Sequence, residues 1–433
     1  MEQAIGTGVL SRAGIPAGFA WGYGGLLLFM IGDGVETSFL SRLFFDFGFS
    51  QPQVGAAFTF YGITAAVGAY LAGALSDLWG PRKVMAFGAT IWLVMHLVML
   101  TVAFPTHSYG LMVATYGLRG FGYPLFAYGF MIWLIAGAPK ERLNTALGWF
   151  WFCFTAGYPV IGSLLAARFL PILHPTGLLW LSWLLVGTGS AVAFFFTGDP
   201  AGRRPLRTSG GGSLREILAG GIILMFTIPA IGRGAVARVI NTASQFGLWV
   251  FLPIFFTQKL GFSLEQWATL LSIMMGANMA AVVAVGVISD RWSWRKSTAL
   301  FGGVFCAVAC IVFYYAPVSS PSNYPVAGVA AALYGIALAG YVALPPMMTA
   351  QAPDRQGQAM SAYTLGAGAS AAIGPLVGTL FIGALGIQGL IWIYAGLHLA
   401  SAFLCLSIRS PGDGKPAARD AAHADMPAAY GAQ

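Results

Sequence analysis

The chain is 433 residues long, 58% hydrophobic and only 8% charged, with a mean hydropathy of +0.75. Soluble domains carry roughly 25% charged residues, so a soluble enzyme or binding module is excluded and a membrane-embedded protein is expected. The net charge of +8 does not indicate a nucleic-acid partner, because its distribution follows membrane topology.

Apolar runs near the ~20 residues that a helix needs to cross a bilayer fall, in chain order, at 17–41, 54–75, 84–104, 109–137, 143–167, 176–197, 236–256, 265–289, 297–316, 325–351, 358–385 and 388–408. A spanning backbone must satisfy its own hydrogen bonds, and these runs lack dyad alternation. The predicted fold class is therefore an all-α membrane protein with twelve transmembrane helices. With the N-terminus inside, most lysines and arginines fall on the cytoplasmic side, whereas Arg42, Arg168 and Lys259 fall outside. This is the positive-inside bias, and it places both termini in the cytoplasm. Cys153, Cys306, Cys310 and Cys405 all lie in spans, so no disulfide framework is expected. The first span is too long for a signal-peptide core, so no cleavable signal is expected.

Between the second and third spans the chain reads Gly73-Ala-Leu-Ser-Asp77-Leu-Trp-Gly-Pro-Arg82-Lys83. Between the eighth and ninth it reads Gly286-Val-Ile-Ser-Asp290-Arg-Trp-Ser-Trp-Arg295-Lys296, each residue numbered 213 above its counterpart. Gly48, Phe49, Ser50 and Gln53 recur at the same offset, and Tyr116-Gly117, Gly122-Tyr123, Pro159 and Gly162 recur with a small drift. Two pseudo-symmetric six-helix bundles account for these matches. The expected organisation is an N-terminal bundle over 1–197, a cytoplasmic linker over 198–235, a C-terminal bundle over 236–408 and a disordered cytoplasmic tail over 409–433. Both loop motifs must face one side, so the apolar run at 217–230 is read as an interfacial helix rather than another span.

The Gly-x-x-x-Asp-x-x-Gly-x-Arg-Lys pattern resembles the signature loop of the major facilitator superfamily, with Ser293 replacing the later glycine in the second copy. Four further stretches, at 32–41, 119–126, 148–152 and 238–242, look like the polyol permease group, which includes bacterial ribitol and D-arabinitol transporters. The resemblance implies the superfamily fold, a bacterial inner-membrane location and proton-linked uptake of a sugar alcohol. The same group holds members labelled as dicarboxylate carriers, so a small organic acid is the alternative substrate.

Only Asp33 and Glu36 among the acidic residues fall inside a span away from its ends. A charge in hydrocarbon is costly, which makes each a functional candidate. Three residues apart, they share a helical face. Arg119 is the matching cation: Asp33 lies roughly 12 Å and Arg119 roughly 15 Å from the outer surface at ~1.5 Å per residue. Asp33 is the expected proton carrier and Arg119 the partner competing for its carboxylate, the alternative being a permanent ion pair. Glu36 is a second coupling group or a substrate ligand. In the repeat, Arg119 aligns with Ala337, and Asp33 and Glu36 fall near Phe246 and Trp249, so the charges are confined to the first half.

A polyol needs hydrogen-bonding side chains and an apolar platform. The candidates are Tyr123, Trp149, Trp151, Asn241, Gln245, Asn278 and Tyr363, with at most one of the two tryptophans facing the cavity. Asn241, Gln245 and Asn278 are expected to face it because an amide facing lipid would be unsatisfied. His96 is expected to bridge helices, the alternative being a proton relay. The loop residues Gly73, Asp77, Arg82 and Lys83, with Gly286, Asp290, Arg295 and Lys296, are expected to latch the halves in one access state. No metal or organic cofactor is expected, the proton being the coupling ion, and no nucleotide or nucleophile motif occurs. The expected partners are a small-molecule substrate, protons and lipid, with a monomer sufficient. An exporter reading is disfavoured by Gly157-Tyr-Pro159-Val-Ile-Gly162, which lacks a Gly-Pro pair, and a sensor by the short tail.

Overall fold

The structure, a computed structural model, describes residues 15, 16, 18–138, 143–198, 205 and 214–408. The expected tail and most of the linker lie outside the described residues, as do the side chains of Asp77 and Asp290. Every regular element among the described residues is helical.

In chain order the helices are α1 (Ala20–Val35), α2 (Leu40–Asp46), α3 (Gln51–Trp79), α4 (Pro81–Val98), α5 (Tyr109–Arg119), α6 (Gly122–Gly137), α7 (Leu143–Thr155) and α8 (Gly162–Phe196). After the linker come α9 (Leu214–Thr227), α10 (Pro229–Lys259), α11 (Leu264–Arg291), α12 (Trp294–Ser297), α13 (Cys306–Ser319), α14 (Tyr324–Leu338), α15 (Leu344–Thr349) and α16 (Gln356–Leu406). Nine helical stretches among the described residues are long and apolar enough to cross a membrane.

Two of those stretches are hairpins. Gly162 packs against Gly34, and Ser182 donates to the Gly32 carbonyl at 2.6 Å. A straight helix would hold residues 162 and 182 about 30 Å apart, so the chain reverses between them, at His174, where φ is 56°. The hydroxyl of Tyr394 likewise reaches the Gly374 carbonyl at 2.7 Å, across the non-helical Gly386. These reversals fall in the gaps expected at 167–176 and 385–388.

The other departures from the expected spans have local causes. The first span breaks into α1 and α2 through a 3-10 turn, Glu36–Ser38, and the fourth breaks at Gly120 and Phe121. The seventh starts at Pro229, seven residues before the expected 236, because proline at the first position suits a helix start. The apolar run expected at 217–230 forms α9, which ends before Ile228 and Pro229 and rests on Gln358 and Ser361 of α16.

The repeat has a structural meaning at its turns. Gly48 and Gly261 both adopt positive φ, +93° and +75°, a region that glycine enters without a Cβ clash. Ser50 with Gln53, and Ser263 with Gln266, form capping boxes at the starts of α3 and α11. The motif loops diverge: Gly80 has φ 87°, whereas Ser293 is extended and caps α12.

Helices α1 and α8 pack together, as do α4 and α6; later in the chain α10 packs on α16 and α11 on α14. Between these two sets α3 runs along α16, and α11 along α8. An apolar core of Phe29, Trp92, Phe126, Phe130 and Trp133 fills the first set, with Phe29 stacked on Phe126 at 4.1 Å.

Removing either cap, by Ser50→Ala or Ser263→Ala, is expected to cost about 1 kcal/mol, and the distant pair should add. Thermal unfolding in detergent checks this, and an unchanged Tm in both variants contradicts it. Gly34→Leu should abolish a monodisperse size-exclusion peak, because a Cβ there would overlap the Tyr158 backbone.

Candidate functional site

Arg119, the last residue of α5, is fully buried. Cations are favoured in a last helical turn, where carbonyls lack intrahelical partners. Its guanidinium forks onto both carboxylate oxygens of Glu36, Nη1 donating to Oε2 at 2.7 Å and Nη2 to Oε1. Glu36 opens the 3-10 turn that breaks the first span, and it is 4% exposed. Aromatic faces surround the cation, with Trp92 and Tyr116 each 4.9 Å from the guanidinium carbon. Such faces are attracted to a buried positive charge.

His96 ties this pair to the far wall. Its Nδ1 faces Arg119 Nη1, and its Nε2 lies 3.0 Å from the Leu179 carbonyl. An arginine can only donate, so Nδ1 is the acceptor and Nε2 carries the hydrogen. The ring, stacked on Trp92 at 4.5 Å, is thus a neutral bridge between helices.

Asp33 is placed differently from expectation. It does not pair with Arg119; Trp92 Nε1 donates to Oδ1 at 2.6 Å, and Oδ2 is buried with no partner. The helix break at Glu36 turns that residue, rather than Asp33, toward the guanidinium. One cation and two acids therefore share the region, and Asp33 is the acid outside the fork.

Beside this cluster lies a cavity of about 40 Å³, room for about one or two waters. Glu36, Tyr61, Tyr116, Tyr123 and Tyr158 line it from the first set, and Phe246, Trp249, Ala371 and Pro375 from the second. Trp249 Nε1 is buried without an acceptor. A larger hollow, about 510 Å³, opens at the far end of α10 beside Lys259, away from the acids.

Of the residues expected to bind substrate, Tyr123 lines the cavity. Trp149 does not; it packs with the aromatic core of the first set and meets Phe152 at 5.6 Å. Trp151 also misses it, being 43% exposed. The three amides bond elsewhere: Asn278 to the Gly335 carbonyl at 3.0 Å, Gln245 to Met275 Sδ at 3.7 Å, and Asn241 to Arg238 at 2.7 Å. Tyr363 lies under Arg238, 4.9 Å from ring centre to guanidinium carbon. Sequence reasoning missed Tyr61, Tyr116, Tyr158, Trp92 and Trp249. The offset that aligned Trp249 with Glu36 was the available signal, since both line the cavity from opposite sides.

The second set carries an uncharged counterpart. Ser244 joins Tyr334 at 3.0 Å and His398 Nε2 at 2.8 Å, and Tyr341 joins Ser401 at 2.8 Å. Among the loop residues, Arg82 donates to the Phe194 carbonyl and lies over its ring at 4.5 Å. Lys83 and Lys296 are exposed and Arg295 is half-buried. Gly73 and Gly286 both face open space. The expected acidic half of the latch, Asp77 and Asp290, lies outside the described side chains.

The Major Facilitator Superfamily profile matches residues 22–345 and again 234–431. The alpha-ketoglutarate permease of Bacillus subtilis (strain 168) is 37% identical over 92% of this chain and 90% of its own length. The ribitol transporter of Klebsiella pneumoniae is 31% identical over 92% of this chain and 93% of its own. The nucleoside transporter NupG superposes with a TM-score of 0.70 at 14% identity, covering 90% of this chain and 98% of that one. Sequence relatives spanning nearly the whole chain and a shared helical fold agree: the chain belongs to the major facilitator superfamily and is a multi-pass membrane transporter, not an enzyme.

Proposed function

We propose that the protein is a proton-coupled symporter for a sugar alcohol or related sugar, taken up by alternating access in a bacterial inner membrane. The observation that carries the coupling is Asp33. Glu36 and Arg119 neutralise each other, so Asp33 can gain or lose a proton without breaking an ion pair. Its Oδ2 has no partner to displace, and it lies within one helical turn of Glu36 on the cavity wall. Arg119 keeps a role in the coupling site, with Glu36 rather than Asp33 as its direct partner.

The polyol reading rests on the cavity's chemistry. Four tyrosines give hydroxyls and flat faces, and Trp249 offers an unpaired N–H. The cavity has room for a water or two but not for a sugar alcohol, so the substrate enters when the two helix sets part. In this reading residues 1–197 and 236–408 form the two moving bundles, the termini and linker face the cytoplasm, and a monomer suffices. The ribitol transporter's likeness supports this substrate class.

The second reading is proton-coupled carriage of a small organic acid. It is favoured by the likeness to the alpha-ketoglutarate permease and by Arg238, which has no carboxylate partner among the described residues.

The deciding experiment is external pH in lightly buffered, de-energised cells on adding pentitols, hexitols and then dicarboxylates. Alkalinisation with a polyol, absent in Asp33→Asn, is expected. Alkalinisation with acids alone promotes the second reading, and no change with either class contradicts symport. Asp33→Asn should lose accumulation but keep counterflow; unaltered accumulation rules out Asp33 as the carrier. Tyr123→Phe should raise KM with coupling intact. Glu36→Leu alone strands a buried cation, a change that costs about 3–5 kcal/mol, and Arg119→Leu in the same chain should recover most of the lost stability.

A further inference from the structure

Phe251 separates two spaces that lie one above the other. Its neighbours Trp249 and Val250 line the small central cavity, whereas Phe251 itself lines the larger hollow of about 510 Å³ at the end of α10. The same order holds on two other helices. On α3, Phe58 borders the cavity and Gln51 the hollow, with Gly55 between them. On α16, Pro375 borders the cavity and Ile382 the hollow, with Gly378 between them. On each helix the two bordering residues are two turns apart, about 10 Å at ~1.5 Å per residue.

One ring fills the level between the two spaces. Residues 51, 55 and 58 share a face of α3, and 375, 378 and 382 share a face of α16, because positions three, four and seven apart align on a helix. Phe251 is 1% exposed, and a Cβ added at Gly55 or at Gly378 would overlap its ring. Gly55 belongs to the first helix set and Gly378 to the second, so the ring lies across the seam between the sets. The exposed side of α16 is elsewhere, at Leu376 and Leu380 on the opposite face. The hollow therefore continues the line of the central cavity instead of opening from the lipid.

The mouth of the hollow is polar. Gln258 and Lys259 are exposed and Gln51 is half-buried, while deeper in the wall the Tyr314 ring stacks on Phe255 at 5.2 Å. Its volume falls within the ~300–1,000 Å³ of small-molecule sites. We infer that this hollow is the outer vestibule of the transport route, open to small hydrophilic solutes, and that the Phe251 side chain is the partition between it and the central cavity. With the ring seated between the two glycines, the cavity is sealed from the hollow. When the sets part at Gly55 and Gly378 the ring loses its seat, and the two spaces join. This inference rests on the transport reading, with Lys259 on the outer face, but on neither its substrate nor its proton coupling.

The test reads access with a membrane-impermeant methanethiosulfonate, itself a small hydrophilic solute, added outside intact cells. The native cysteines are buried, so the unaltered chain gives the blank. Gln51→Cys reports the hollow, and Thr37→Cys reports the central cavity that Thr37 lines. A shielded thiol reacts only from the fraction of molecules whose path is open. Gln51→Cys should react fast, and Thr37→Cys about tenfold or more slowly. Adding Phe251→Ala should bring Thr37→Cys within about threefold of Gln51→Cys, with the Gln51→Cys rate itself unchanged. Phe251→Leu should give an intermediate rate and Phe251→Tyr the original one, so the test stands even where the alanine variant fails to fold. A slow Gln51→Cys, a Thr37→Cys rate indifferent to the side chain at 251, or equal acceleration of both thiols overturns the inference. Labelling needs no gradient and no transported substrate, so its failure is separate from any failure of the symport or polyol readings.

Discussion

The fork between Arg119 and Glu36 is the interaction on which the rest of the interior depends. A buried guanidinium needs a counter-charge, acceptors in matched geometry and a polarisable surround. Glu36 provides the counter-charge because the first span breaks there. Trp92 and Tyr116 provide the faces, and His96 accepts the remaining Nη1 hydrogen. That acceptance sets the histidine tautomer, which in turn commits Nε2 to the Leu179 carbonyl and links the third span to the sixth. Trp92, already beneath the cation, gives its N–H to Asp33. One ion pair thus orients Trp92, Tyr116 and His96 and leaves Asp33 without a cation.

The duplication explains why this happens once. The two halves share their turn chemistry: a positive-φ glycine and a Ser–Gln capping box start the second helix of each. Their interiors differ. Where the first half places Glu36 the second places Trp249, and where the first has a charged hub the second has a neutral chain through Ser244 and His398. In the proposed function, a shared scaffold with unlike interiors would let one half hold a proton while the other shapes the substrate's surroundings.

Much of the fold was legible because its signals are physical requirements repeated in the chain. Span length, the loop motif and the Gly48–Gln53 recurrence each correspond to a helix or turn that the structure contains. The misplacements have a common origin. Depth along an ideal helix matched Asp33 with Arg119, but both spans break near those residues, at Glu36–Ser38 and at Gly120, and a break rotates everything beyond it. The amides were expected at the cavity because lipid would leave them unsatisfied. Asn278 instead spends its N–H on the Gly335 carbonyl, an equally good solution that composition alone does not distinguish. Tyr61, Tyr116 and Tyr158 carry no such sequence signal, since a tyrosine in a span packs as readily as it lines a cavity.

The strengths of these contacts also indicate which surfaces can move. Side-chain hydrogen bonds that join the two helix sets include Arg42 to Thr257, at 2.6 Å, and Ser272 to the Val160 carbonyl, at 3.3 Å. Such bonds contribute about 0.5–3 kcal/mol each and can re-form with water when the sets part. Separating Arg119 from Glu36 would cost about 3–5 kcal/mol, because it strands a buried charge. In the proposed alternating access, the small central cavity would open between the sets, along α3 with α16 and α11 with α8, while the charged hub would stay assembled inside the first. In the proposed function, a proton on Asp33 would change the charge at that hub without dismantling it, as a coupling group would have to do in a carrier whose halves move as rigid bodies.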